Sequence, residues 1–192
     1  MPCHFPSTVD EPLAGVFESD PERPLDILID FKTEGNATWE KLERQLEPLR
    51  RRNLLTHFNG AAIVPGPVVI VGTGNTPFDK ITANNTYSDV FYDAPLDLLA
   101  DTYYASAHFK KAVGHVWGSR LSQEQLQRIR AQIHGAHRLG LKARYFSVPA
   151  WPIGLRNHIW HILTREGVDV VSVDDLRQAT TWDWRKKKGL FF

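Results

Sequence analysis

The chain has 192 residues, 42% hydrophobic and 23% charged, with a formal net charge of +1. That length suits one domain able to bury roughly 70% of the surface its unfolded chain exposes, and near-neutrality argues against a general nucleic-acid binder, which needs a basic face. No apolar run approaches the ~18 residues of a membrane span, the opening Met1-Pro2-Cys3-His4 has no signal- or transit-peptide character, and Cys3, the single cysteine, excludes an internal disulfide framework and a cysteine-based zinc cluster.

The first predicted strand is Leu25 to Phe31, a run of β-formers that ends at a Gly-containing turn, Glu34-Gly35-Asn36. Side chains two apart on a strand share a side, so Asp30 and Lys32 project together at its carboxyl end. A carboxylate and an ammonium placed so suit a metal-bound phosphate, and equally a simple ion pair. A helix is predicted from Thr38, with Trp39, Leu42 and Leu46 at helical spacing, interrupted or reset at Pro48. The β-branched run Val68-Val69-Ile70-Val71 reads as a strand buried on both faces. It leads into Gly72-Thr73-Gly74-Asn75-Thr76-Pro77, which lacks the third glycine of a dinucleotide fingerprint. A tight turn fits better, with Asn75 able to face a ligand.

Val90 to Asp93 and Tyr104 to Phe109 are further short strands. The clearest helix runs from Ser122 to Leu139, with a Ser122/Gln125 capping box, an apolar stripe of Leu126, Ile129 and Ile133, and Gly140 as its stop. Ala143 to Val148 reads as a strand, Pro152 to Glu166 as a helix, and Val168 to Val173 as the last strand. Asp174 or Asp175 then caps a helix or lies near the ligand. The pairs His134/His137 and His158/His161 sit one helical turn apart, but on helices of the outer layer, where they read as surface or half-buried side chains. Trp151, held between prolines, could stack on a substrate or cover a quaternary amine. The tail from Trp182, with Arg185-Lys186-Lys187-Lys188 within a basic and apolar stretch at 185–192, reads as solvated and mobile, or weakly attracted to an anionic membrane. The sequons at Asn36 and Asn84 hint that a fuller version of the chain enters the secretory pathway.

Strand-helix alternation implies an α/β fold with a parallel sheet. Five or six units are counted, and the 192 residues fall short of the ~250 of a closed eight-unit barrel; a doubly wound open sheet fits the length better, and pattern alone leaves the two close.

Leu28-Ile29-Asp30-Phe31-Lys32-Thr33, Phe58-Asn59-Gly60, Val71 to Asp79, Phe91-Tyr92-Asp93-Ala94-Pro95-Leu96 and Pro149 to Asn157 together resemble the fungal altered inheritance of mitochondria protein 6 family. That family belongs to the PLC-like phosphodiesterases, with glycerophosphodiester phosphodiesterases and sphingomyelinase D as distant relatives. The resemblance runs from about Gly15 to Trp184 and implies a β/α barrel with its site at the carboxyl ends of the strands. It implies a phosphoric diester hydrolase acting on a phospholipid or glycerophosphodiester with Mg or Ca. By this match Asp30 is the third-strand metal ligand and Lys32 the catalytic, phosphate-contacting lysine. The resemblance further implies that Trp151, Tyr145, Asn75 and Asp93 contact substrate.

The family's first two strands, with His-x-Asn-Asp and Glu-x-Asp motifs, have no counterpart; His4 matches neither. The resemblance therefore implies an incomplete barrel, about strands three to eight of eight, in one domain over 1–192. It further implies a metal held weakly or not at all, and negligible activity of the chain by itself, because one acid holds Mg poorly and the proton carriers are missing. The alternative is a non-catalytic remnant binding a phosphorylated ligand or a partner, with self-association through the exposed sheet edge. Full-length relatives are expected to be secretory or membrane-associated.

Overall fold

The computed structural model describes residues 15–95, 102–118, 120–182 and 184. Cys3, His4 and the basic tail at 185–192 lie outside the described residues. Contacts divide the chain into two compact units, Met1–Tyr92 and Asp93–Phe192.

The first unit contains β1 (Leu25–Phe31), α1 (Gly35–Arg50), the two-residue strands β2 (His57–Phe58) and β3 (Ile63–Val64), β4 (Val68–Gly74) and α2 (Phe78–Thr82). β5 (Val90–Pro95) carries the boundary to the second. β1 and β4 pair in parallel from Leu25↔Val68 to Phe31↔Gly74, and β4 pairs in parallel with β5. The pleat sorts the side chains. Ile27, Ile29 and Phe31 of β1, with Val68 and Ile70 of β4, pack against Trp39, Leu42, Leu46 and Leu49 of α1. Each large apolar side chain withdrawn from water there contributes about 1.5–3 kcal/mol. Leu28 and Asp30 occupy the other face of β1.

Two expectations are corrected in this unit. The stretch Glu34-Gly35-Asn36 opens α1 rather than forming a free turn, because the Glu34 carboxylate caps the helix, accepting from the Asn36 N–H at 2.9 Å and the Ala37 N–H at 2.7 Å. Pro48 does not interrupt α1. It lies in the last turn, where its missing N–H removes one bond of a ladder that ends at Arg50 anyway.

The second unit contains β6 (Thr102–His108), α3 (Phe109–Val113), α4 (Gln123–Arg138), β7 (Lys142–Phe146), α5 (Ile153–Arg165), β8 (Val170–Val171) and α6 (Leu176–Thr181). β6 pairs with β7 and β7 with β8, all parallel. Ala105, Ala107, Ala143 and Tyr145 face the helices, against Ile129 and Ile133 of α4 and Ile159 and Leu163 of α5.

The capping box at Ser122 forms as predicted. Both long helices here end on a left-handed glycine, Gly140 at φ 72° and Gly167 at φ 91°. In each case the residue after the glycine donates back into the last turn, Leu141 to the Ala136 carbonyl and Val168 to the Leu163 carbonyl. That use of Val168 keeps it out of β8, which is shorter than the predicted 168–173 at both ends. The Asp169 carboxylate is likewise committed, to the Ala143 N–H at 2.7 Å and to His137. Val170 and Val171 pair with Arg144 and Tyr145 of β7. Asp175, the second of the two predicted candidates, caps α6 through Gln178 N–H.

Candidate functional site

In the first unit, Asp30 and Lys32 leave the carboxyl end of β1 on the face turned away from α1, and the Lys32 Nζ lies 2.6 Å from the Asp30 Oδ2. The side chains are 80% exposed for Lys32 and 45% for Asp30. An ion pair this open contributes about 0–1 kcal/mol, so the fold does not depend on it. Both groups stay accessible to a ligand, the carboxylate as an acceptor and the ammonium as a donor to phosphate oxygens.

The loops that carry the pair are fastened to each other. Asn75 donates its backbone N–H to the Phe31 carbonyl at 2.8 Å and its side-chain amide to the Thr33 carbonyl at 3.3 Å. Gly35 lies so near the Asn75 carbonyl that a Cβ would meet it at 2.5 Å. Thr76 closes its own turn with a 2.7 Å bond to the Thr73 carbonyl. β4 runs on through Gly74, so the turn expected over Gly72–Pro77 is confined to Asn75–Pro77, followed by a helix of only five residues. Asn75 acts here as a clamp between two loops. Glu34 fills the amino-terminal N–H groups of α1 beside Lys32, and those N–H groups, Ala37 first, hold its carboxyl below the usual carboxylate range.

In the second unit the predicted residues separate. Trp151 is 79% exposed in the loop leaving β7. Tyr145 is 1% exposed, its ring inside the helix-side core, its hydroxyl donating to the Gln132 Oε1 at 2.7 Å. The alternation of β7 turns Tyr145 to the helices, so its expected place in a substrate pocket is withdrawn. Asp93 is buried, and its Oδ2 accepts from the Arg144 Nη1 at 3.3 Å, while its Oδ1 has no hydrogen-bond partner.

Arg144 was not anticipated from the sequence. Its Nε donates to the Ser172 Oγ at 3.1 Å and its Nη1 to the Ser106 Oγ at 3.3 Å, with the guanidinium 5.4 Å over the Phe146 ring. A signal was present in Ala143-Arg144-Tyr145-Phe146, where a cation interrupts a strand at the parity opposite Ala143 and Tyr145.

The helical histidines have ordinary positions. His134 is exposed and His137 sits 2.8 Å from the Asp169 Oδ2. Burial, followed by the nearby Arg120 charge, keeps His158 below the usual histidine range. Among the described residues no group of three or more His, Cys, Asp or Glu side chains comes together as a metal site. Nor is any described helix long and apolar enough to cross a membrane.

Parallel strands carrying helices, with an acid–lysine pair at a strand's carboxyl end, define an α/β chain. Residues 2–93 match the AIM6-like phosphodiesterase domain, a stretch that includes Asp30, Lys32, Asn75 and Asp93 but not Trp151. The chain belongs to the altered inheritance of mitochondria protein 6 family. It is 37% identical over 174 residues to an altered inheritance of mitochondria protein 6 homolog of Arthroderma benhamiae, covering 86% of this chain and 55% of that protein. Altered inheritance of mitochondria protein 6 of Eremothecium gossypii is 31% identical over 183 residues, covering 84% and 47%. The Saccharomyces cerevisiae protein of that name is 28% identical over 194 residues, covering 87% and 50%. The chain thus spans about half the length of the curated relatives it matches. No solved structure matches it significantly.

Proposed function

We propose that this chain is part of a phosphoric diester hydrolase of the PLC-like class, built on a segment of a β/α barrel, whose substrate is a phospholipid or glycerophosphodiester. The observation that carries the reading is the open Asp30–Lys32 pair at the carboxyl end of β1, inside the stretch that matches the phosphodiesterase domain. In a parallel barrel that end is where sites are built. Within each unit the strands also neighbour one another in chain order, β1-β4-β5 and β6-β7-β8. That progression suits a barrel wall, whereas a doubly wound sheet reverses its order at a switch point.

In this reading Lys32 neutralises a phosphate oxygen and Asn75 keeps the loop behind the pair in place. Asp93 belongs to the Arg144 cluster, which orders the sheet face rather than touching phosphate. A divalent ion is the family's expected partner, but the described residues do not fit one on their own. Asp30 is a single carboxylate, and a Mg ion wants about six oxygen ligands with at least one or two carboxylates among them. No step is therefore routed through a metal here. Among the described residues of the first unit, proton transfer also lacks a histidine carrier beside the pair. His57, the histidine described in the first unit, is engaged with the Leu55 carbonyl at 3.2 Å and with the Tyr87 ring at 5.3 Å.

Two measurements test the reading. Titrating glycerophosphocholine into the chain should shift the backbone amide resonances of Asp30, Lys32 and Asn75, and Lys32→Ala should abolish the shift; unperturbed resonances there would remove the site. With Mg or Ca present, turnover of the same diester by this chain should stay at background. Robust metal-dependent cleavage abolished by Asp30→Ala would show that the chain is a competent enzyme after all. Ligand binding without turnover is the outcome favoured by the lone carboxylate, and matches a phospho-ligand-binding remnant of the fold.

A further inference from the structure

The three most exposed large apolar side chains among the described residues are Trp117 at 84%, Trp151 at 79% and Leu176 at 70%. Each lies on the connection leaving the carboxyl end of one of three neighbouring parallel strands, β6, β7 and β8. Trp117 precedes the Ser122 cap of α4, Trp151 precedes Ile153 at the start of α5, and Leu176 opens α6. Connections that leave the carboxyl ends of neighbouring parallel strands emerge along one edge of the sheet. All three side chains therefore stand along the same edge of the second unit.

Scattered exposed apolar residues need no explanation, but a row of them along one edge does. Beside Trp117 the surface is hollowed, an open cavity of about 430 Å³ lined by His115, Trp117, Arg120, Leu121 and Arg128. The His115 ring meets the Trp117 ring edge-on at 4.5 Å.

The charges on this edge decide what covers it. Lys110 and Lys111 lie in α3, the short helix that follows β6, Arg120 lies between Trp117 and α4, and Arg177 follows Leu176; all four are exposed. The acids nearby are largely neutralised in pairs, Glu124 with Arg128 and Asp175 with Arg156, leaving Asp174 exposed. A second copy of the chain docking through the same edge would set these cations against themselves. An anionic surface would not. Tryptophan rings beside lysine and arginine are the composition of a surface seated at the headgroup level of a bilayer.

We propose that this edge of the second unit docks onto the surface of an anionic phospholipid bilayer, with the Trp117 and Trp151 rings and Leu176 entering the interface and Lys110, Lys111, Arg120 and Arg177 facing the headgroups. This goes beyond the phosphodiesterase reading and requires no turnover.

The test is co-sedimentation of the full 192-residue chain with phosphatidylcholine vesicles, with and without phosphatidylserine. Binding is expected to the phosphatidylserine vesicles, to weaken as salt is raised, and to bring quenching of tryptophan fluorescence by bromine-labelled lipid. Trp117→Ala and Leu176→Ser should each weaken partitioning about tenfold, the scale of withdrawing one large apolar side chain. Both positions are solvent-exposed, and circular dichroism of each variant is the check that it folds. Leu139→Ser is the control, since Leu139 is 50% exposed at the opposite edge, ahead of β7, and should leave binding unchanged. Failure of the unaltered chain to bind phosphatidylserine vesicles overturns the proposal, as does binding insensitive to both variants. So does a self-associated form that Trp117→Ala dissolves in the absence of any vesicle binding.

Discussion

Gly74 lies against Asp30 with no room between them for a Cβ. A methyl group placed there would collide with the Asp30 Oδ1 and stand 2.7 Å from the Phe31 carbonyl oxygen, on a backbone already at φ 71°. The carboxylate at the end of β1 is therefore positioned by the absence of a side chain on β4. Gly74→Ala should displace the Asp30 side chain and cost about 1–3 kcal/mol, since a left-handed conformation at a non-glycine residue adds to the collision. Urea unfolding measures the cost. A loss below about 0.5 kcal/mol would show that the turn relaxes freely.

Arg50 at the end of α1 ties that helix to the strand side of the first unit. Its guanidinium reaches the Asp89 carboxylate at 2.5 and 2.9 Å and Glu43 at 3.0 and 2.9 Å, and Tyr87 adds its hydroxyl to Asp89 at 3.1 Å. The Asp89 bond is the chief reason that Arg50 is held even more firmly protonated than an ordinary arginine. The Asp89 side chain is 4% exposed, so Arg50→Met strands a buried carboxylate and should cost ~3 kcal/mol. The double variant Arg50→Met, Asp89→Asn should recover part of that loss. Strict additivity of the two single changes in equilibrium unfolding would contradict the coupling.

Legibility of the sequence followed the physics of each element. β4 and the core of α4 were readable because their evidence is local, a β-branched run in one case and a cap, stripe and stop in the other. The start of α1 was missed because its cap is a glutamate, a residue that usually caps from the third helical position rather than from the N-cap itself. The amino-terminal end of β8 was missed because Val168 is claimed by a hydrogen bond back into the last turn of α5, a bond set by the helix end. At the site, the i, i+2 rule placed Asp30 and Lys32 together, as they are. The same alternation, applied to β7, separates Tyr145 from Arg144; aromatic character had drawn attention to the wrong parity. Arg144 gathers Asp93, Ser106 and Ser172 from three different stretches of chain. Pairing across strands is invisible to any local pattern.

Tyr145 offers a direct check of that sorting. Burial pushes its hydroxyl well above the usual tyrosine range, and the Gln132 it donates to in turn reaches the Ala112 carbonyl at 3.3 Å. Tyr145→Phe keeps the ring and removes one neutral hydrogen bond, so stability should fall by about 1 kcal/mol. Glycerophosphocholine-induced shifts at Lys32 should be the same in the variant and the parent. A variant that keeps its stability but loses ligand binding would return Tyr145 to the pocket.

Acid should weaken the second unit in two stages with separate owners. His158 is depressed below its ordinary 6.5, chiefly by burial, so the unfolded chain takes up a proton there before the folded one does. Its contribution to stability is complete above that unfolded value and declines as pH falls from it toward the lower folded one. Glu166 is depressed below 4.5, chiefly by the Arg130 guanidinium that donates to it at 2.6 and 3.1 Å, with Arg165 adding bonds of 3.1 and 2.8 Å. Its contribution is present above the unfolded value and is lost as pH drops through the folded one. Urea midpoints measured between neutral pH and about pH 3 should therefore fall first in the histidine range and again in the carboxylate range. His158→Gln should erase the upper descent and Glu166→Gln the lower, each leaving the other in place. A stability that rises on acidification through either range would reverse the sign argued for that group.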